Sequence, residues 1–194
     1  LLVNPESPDQ LSDMISLIAT ATNTQDKADQ LLDFINQEKE MLTTSLATAD
    51  DTPNIYLAGN SSLLSTAGPA MYQSGIIELA GGKNVASDIS DTYWAEISYE
   101  QLLSWDPDYI ILASDAEYTV DDVLSDPNLK DCTAVKNNHV YAIPGDIEAL
   151  DSPVPASILA SIWLAGILHP DQVSTDTYTK EMNSFYETFY GIKK

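Results

Sequence analysis

The segment from Tyr109 to Ala113 reads Tyr-Ile-Ile-Leu-Ala, a continuous apolar run of the length of one strand. Such a run is typical of a strand in a parallel sheet, because helices cover both of its faces. Comparable strand patterns occur at Asn54–Ala58 and at His139–Ile143. Helical patterns fill the intervals between them and follow the last one, at 69–80, 99–104, 120–125, 155–168 and 174–190. This alternation predicts an α/β fold in which a parallel sheet is wrapped by helices, that is, a Rossmann-like lobe.

A long helical pattern precedes this alternation. Its apolar residues recur at helical spacing from Ala28 to Leu46, with a start signal at Asn23-Thr24 and a stop signal at Asp50–Pro53. At 1.5 Å per residue the helix would be roughly 40 Å long. A crossover between neighbouring strands needs less length, so the pattern predicts a long N-terminal spine helix that links two bodies.

The charge of the chain excludes several classes of partner. The sequence has 30 acidic residues against 8 basic ones, which gives a net charge of −22, and every basic residue is a lysine. A surface of this sign repels nucleic-acid phosphates and anionic lipids, so we expect neither as a partner. The longest apolar run, around Ile158 to Leu168, is too short to span a bilayer, and we therefore expect no direct membrane insertion by this chain.

The sequence offers little catalytic chemistry. It contains no G-x-S-x-G elbow and no phosphate-binding loop, and His139 and His169 have no neighbours at the spacing of metal ligands. Cys132 is the only cysteine and is expected to be packed in the core. We predict no cofactor, no metal site formed by this chain alone and no enzyme. A hydrolytic or metal-dependent α/β enzyme remains the alternative, and a titratable pair in a cleft would favour it.

Three loops follow the predicted strands at their carboxyl ends, where open α/β sheets usually bind ligands. Their hydroxyl, amide and carboxylate groups are able to hydrogen-bond a polar ligand. The predicted ligand-binding residues in these loops are Asn60, Ser61, Ser62, Asp115, Tyr118 and Asp146. The same residue types are also typical of solvated turns, so both interpretations stay open.

Two segments carry the most specific pattern, ISYEQLLSWDPDYII at 97–111 and AVKNNHVYAIP at 134–144. Together with LAGGKNV at 79–85 and IWLA at 162–165, their order resembles the C-terminal lobe of the periplasmic solute-binding proteins that serve ABC importers of iron-siderophores, haem and cobalamin. The resemblance implies two α/β lobes joined by one rigid helix.

On this resemblance we expect three regions in the chain. Residues 1–22 would be the closing segment of a largely missing N-terminal lobe, residues 23–50 the spine helix, and residues 51–194 the C-terminal α/β lobe. The chain begins with Leu1-Leu2-Val3 rather than with a methionine, so we expect a trimmed product or a fragment.

The resemblance also implies a function. The protein would be the extracytoplasmic component of an ABC importer, either periplasmic or a cell-surface lipoprotein. It would capture a small-molecule metal chelate (an iron-siderophore, haem or cobalamin-like ligand) and deliver it to an ABC permease. A docking lobe without a ligand is a further alternative. Because the chain has no arginine to hold an anion, we favour a neutral or cationic complex, unless the absent lobe supplies the positive charge.

Particular roles follow for four residues. Trp94, in an irregular stretch that begins at Asp91, matches the position of a ligand-facing aromatic residue, and Tyr93 is its neighbour; a local core contact is the alternative for Trp94. Glu100, in the first turn of a helix capped by Ser98, matches a glutamate that docks on the permease, with Glu96 as a second choice. A carboxylate that merely complements the helix dipole is the alternative for Glu100.

Overall fold

Six strands form one mixed sheet in the computed structural model, which describes residues 3–89 and 93–193. The strands are β1 (Asn54–Ala58), β2 (Ser65–Ala67), β3 (Lys83–Asn84), β4 (Trp94–Glu96), β5 (Tyr109–Leu112) and β6 (Val140–Ala142). They are ordered β4-β2-β1-β5-β6, and β3 pairs with the first half of β1. The expectations that concern Leu1, Leu2, Asp91 and Thr92 lie outside the described residues.

Helices enclose this sheet. They are α1 (Pro8–Thr22), α2 (Gln25–Leu46), α3 (Tyr72–Leu79), α4 (Tyr99–Trp105), α5 (Val120–Leu124), α6 (Thr133–Lys136), α7 (Ile158–Leu168) and α8 (Thr175–Tyr190), with a short 3₁₀ turn at Pro155–Ser157. Among the described helices, none combines the length and the apolar character that a membrane crossing requires. The predicted α/β class is confirmed.

The centre of the sheet is parallel, as predicted. β1 pairs in parallel with β3 and β5, and β5 pairs in parallel with β6. β2 and β4 add an antiparallel extension that the sequence did not predict. Each has three residues, which is too short to show the two-residue periodicity of a strand. The prediction that Trp94 lies in an irregular stretch was therefore wrong, because Trp94 begins β4 and pairs with Ala67.

Alternate residues of the central strands enter two separate cores. Ile55, Leu57 and Ile111 pack in one core, which includes residues of α1, α2, α3, α7 and α8. Tyr56 and Ile110 pack in the other, which includes residues of α4, α5 and α6. All five of these side chains are fully or almost fully buried, which explains why the strand sequences are apolar without alternation.

The long second helix, α2, is confirmed but is shorter than expected, since it ends at Leu46. It packs against α1, α3 and α7 and places Ile35 and Leu42 in the first core. α1 begins after Ser7, whose hydroxyl accepts a hydrogen bond from the amide of Gln10. The division into a closing segment, a spine and a C-terminal lobe stays a prediction.

Buried Glu38 on α2 makes folding depend on pH. Burial and the nearby Glu181 carboxylate raise its pKa from 4.5 to about 7, against the opposing effect of Lys180. Between pH 4.5 and 7 the folded protein holds a proton that the unfolded chain releases. Stability therefore falls as the pH rises through this window.

We expect Glu38→Gln to be more stable than the wild type at pH 8, by on the order of 1 kcal/mol once solvent screening is allowed for. The difference should be much smaller at pH 5, where Glu38 is still protonated in the folded protein. Urea unfolding at both pH values measures the difference. Glu40→Gln, at an exposed position on the same helix, is the control and should show little change. An equal difference at both pH values would contradict the assignment.

Candidate functional site

The carboxyl ends of β1, β5 and β6 lie side by side, since Ala58 pairs with Leu112 and Leu112 with Ala142. Three loops leave the sheet here, at 59–64, 113–118 and 143–148. We refer to these loops, together with the adjoining Trp94 of β4, as the strand-end surface. Parallel pairing thus brings together loops that are about 50 and 30 positions apart in the sequence, as the general rule for open α/β sheets requires.

Asn60 and Asp115 join the first two loops. The Asn60 side-chain amide donates a hydrogen bond to Oδ1 of Asp115. The backbone amide of Glu117 donates to the carbonyl of Asn60 over 2.8 Å. The two loops are thus linked by a side-chain bond and a backbone bond, so these two predicted site residues do lie together.

Tyr118 is hydrogen-bonded to the backbone of the first loop. Its hydroxyl donates to the carbonyl of Gly59 over 2.6 Å. Burial raises the pKa of the Tyr118 phenol, which keeps it protonated and able to donate at neutral pH. Since this hydroxyl is already committed to the backbone, Tyr118 serves first to hold the loop in place.

Trp94 lies against the same loop. A methyl group placed on Gly59 would come within 2.9 Å of Cζ3 of the Trp94 ring. The residue is 36% exposed, so part of its surface faces solvent, and its role towards a ligand stays a prediction. Its ring offers flat apolar area against Gly59, the residue that precedes the hydrogen-bonded Asn60, and apolar area near polar groups is the combination that small-molecule sites usually provide.

The other predicted residues make different contacts from this group. The Tyr93 hydroxyl donates to Oε1 of Glu6 over 2.7 Å, which directs it towards the segment before α1. Ser62 accepts a hydrogen bond from the Leu64 amide, which is turn chemistry, and Ser61 is exposed. Asp146 is exposed and helps to line a small cavity of about 20 Å³ on the side of α8.

Ser114 and Asp151 are part of the site, and sequence reasoning missed their contact. Oγ and the amide of Ser114 donate to the carboxylate of Asp151, over 2.6 and 3.2 Å. Asp151 is only 3% exposed. An aspartate followed by Ser-Pro is indistinguishable in sequence from an exposed turn, and its burial depends on the path of the chain after β6.

Glu96 and Glu100 are both exposed near the end of β4 and the start of α4. Ser98 caps α4 as predicted and accepts from the amide of Gln101 over 3.2 Å. The backbone amide of Glu100 and the Ser98 hydroxyl lower the pKa of the Glu100 carboxyl. The carboxylate thus complements the helix terminus and is also available on the surface, so its docking role stays a prediction.

The cysteine and the two histidines contact residues outside the strand-end surface. Cys132 is buried, and burial raises the pKa of its thiol. Nδ1 of His139 lies 3.2 Å from the carbonyl of Asp108 and its ring stacks on Tyr109. His169 is buried against Gly81. Over residues 3–89 and 93–193, no group of three or more His, Cys, Asp or Glu side chains is arranged to hold a metal ion.

The strand-end surface is acidic. Asp115, Glu117 and Asp146 are exposed on its loops, and these loops contain no lysine or histidine. The nearest lysine on the sheet, Lys83, pairs with Asn54 at the opposite end of β1. The loops of this surface therefore carry no basic side chain of their own.

We expect Gly59→Ala to displace the Trp94 ring, because its new methyl group would also lie 3.2 Å from the carbonyl oxygen of Ser65. Near-ultraviolet circular dichroism should change, and stability should fall by about 1–3 kcal/mol. Gly166→Ala in α7 is the matched control, since its nearest neighbour is at an ordinary 3.4 Å and alanine favours helices. Equal spectra for Gly59→Ala and the wild type would contradict this placement of the ring.

Comparison with known proteins gives a consistent picture of the fold. The family model described as "Periplasmic binding protein" matches residues 1–147. A periplasmic solute-binding protein from Veillonella parvula superposes with a TM-score of 0.87 at 24% identity, covering 100% of this chain and 60% of that one. The Helicobacter pylori CeuE complex with nickel and histidine superposes with a TM-score of 0.87 at 19% identity, covering 98% and 61%.

Two curated relatives have stated ligands. The molybdate-binding protein MolA of Haemophilus influenzae is 28% identical over 185 residues, which are 94% of this chain and 52% of that protein. A cobalamin-binding protein of Halobacterium salinarum is 28% identical over 110 residues, which are 54% of this chain and 29% of that protein. The chain thus spans about half the length of MolA, and its match covers 29% of the cobalamin-binding protein. Both are binding proteins, which supports the expectation that this chain is not an enzyme.

Proposed function

Because the chain belongs to the periplasmic binding protein family, we propose that it forms the C-terminal lobe of the extracytoplasmic solute-binding component of an ABC importer. The protein would capture a metal chelate and deliver it to the permease. The observation that carries the proposal is the exposed Trp94 ring against Gly59, in the loop whose Asn60 is hydrogen-bonded to Asp115 at the carboxyl ends of the parallel strands.

The negative charge of the strand-end surface restricts the class of ligand that we propose. Iron-siderophores, haem and cobalamin-like ligands present flat or apolar surface that suits an aromatic ring. An oxyanion such as molybdate needs positive charge or many donors, whereas the strand-end surface presents Asp115, Glu117 and Asp146. We therefore favour a neutral or cationic chelate for this lobe, although a curated relative binds molybdate.

A second lobe is part of the proposal. The strand-end surface is open in the described residues, whereas a site for a small molecule usually encloses most of its ligand. Residues 1–22 and the spine helix would connect this lobe to another one that closes over the ligand. Since a continuous helix resists bending, the closing motion would be small.

A tryptophan-fluorescence titration of the longest natural form of the protein tests the ligand class. The panel comprises a ferric hydroxamate, a ferric catecholate, haem, cyanocobalamin, nickel with histidine, and molybdate. We expect saturable quenching by one neutral or cationic chelate and none by molybdate. Saturable quenching only by molybdate, haem or the ferric catecholate, all of them anionic, would overturn the ligand class, and no response to the whole panel would favour a docking lobe without a ligand.

We expect Trp94→Ala to weaken binding of the chelate identified in this way by about tenfold, because it removes the exposed ring that the ligand would stack on. Trp94→Phe should keep most of the affinity, since it keeps an aromatic face. Calorimetric titration measures both variants. An unchanged affinity in Trp94→Ala would remove Trp94 from the site.

We expect Glu100→Gln to reduce transporter-dependent uptake several-fold while leaving ligand affinity unchanged, because a surface carboxylate would meet basic residues of the permease. Uptake into cells and calorimetry of the purified protein measure the two quantities. Glu40→Gln, at an exposed site on α2, is the control. Normal uptake with Glu100→Gln would exclude the docking role.

A further inference from the structure

Asp151 is a buried carboxylate that the proposed ligand contacts do not use. It lies within the segment 143–154, between β6 and the 3₁₀ turn, and is 3% exposed. Both of its oxygens accept hydrogen bonds from one residue, Ser114, and it belongs to none of the ion pairs among the described residues. Burial of a carboxylate is unfavourable unless its oxygens are hydrogen-bonded, so the two bonds from Ser114 compensate an otherwise costly group.

Ser114 lies between the contacts that join the loop after β5 to the other two loops of the strand-end surface. It directly precedes Asp115, whose carboxylate accepts the hydrogen bond from Asn60. Two residues further on, the amide of Glu117 donates to the carbonyl of Asn60. On the other side Gly145 packs so closely that an added methyl group would lie 2.9 Å from Cβ of Ser114. A bond that fixes Ser114 therefore fixes all three loops relative to one another.

We propose that Asp151 is a positioning residue, which holds Ser114 and thereby the Asn60–Asp115 pair in the geometry that binds ligand. The expected effect of Asp151 on ligand affinity rests on the proposed function. Its expected effect on the order of the loops does not depend on a ligand. Asp151 joins the segment after β6 to the loop after β5. The loop after β1 is held in turn through the bonds of Asn60 to that loop.

The test compares Asp151→Asn and Ser114→Ala with the wild type. Asparagine offers one acceptor to the two donors of Ser114, and alanine removes the hydroxyl donor. We expect amide hydrogen exchange of Glu117 to become about tenfold faster in both variants, while the amides of β5 keep their protection. Affinity for the chelate that quenches the wild type should fall about tenfold. Ser125→Ala and Asp131→Asn, outside the strand-end surface, are the matched controls and should change neither quantity.

The outcomes separate this inference from the proposed function. If no chelate binds the wild type, the proposed function fails, and the exchange rate of Glu117 alone decides whether Asp151 positions the loops. Unchanged exchange at Glu117 would overturn the inference even if the melting temperature falls. Faster exchange by the same factor throughout β5 would also overturn it, because Asp151 would then stabilise only the fold as a whole.

Discussion

The parallel pairing of β1 with β5 is the contact on which the rest of the structure depends. Ile55 to Ala58 lie opposite Tyr109 to Leu112, and these four residues of β1 are buried on both faces of the sheet. Because neither face of these strands is exposed to water, each requires a layer of helices, and the two cores on opposite sides of the sheet meet that requirement. The same pairing also brings the loops after β1 and β5 to one end of the sheet.

The strand-end surface owes its order to polar contacts as well as to apolar packing. Leu63, Leu64 and Ala116 pack against the second core. The Asn60–Asp115, Tyr118–Gly59 and Ser114–Asp151 hydrogen bonds connect the loops to their neighbours. Such contacts are individually modest, but each fixes a direction, which hydrophobic contacts do not. A site built in this way keeps polar atoms near the surface at defined positions, as ligand recognition requires.

The sequence predicted those parts of the fold that local pattern determines. β1 and β5 are apolar runs, and the cap at Ser98 is a local signal for α4. β2 and β4 were missed because their strand geometry arises from pairing with each other and with β1. Trp94 was placed near the ligand by resemblance alone, since no periodicity indicates what its ring contacts. Asp151 was missed because its burial depends on how the chain returns after β6.

Charge and geometry together restrict what the lobe is able to hold alone. The exposed carboxylates of the strand-end surface act over several ångströms, and Lys83 lies at the far end of the sheet. An anion brought to this surface meets repulsion that hydrogen bonds from the loops would have to overcome, whereas a cationic or neutral chelate does not. A second lobe that faces the same surface changes this balance only if it contributes positive charge near Asp115. The ligand charge that the whole protein prefers therefore depends on both lobes, whereas the proposed aromatic contact of Trp94 depends on this lobe alone.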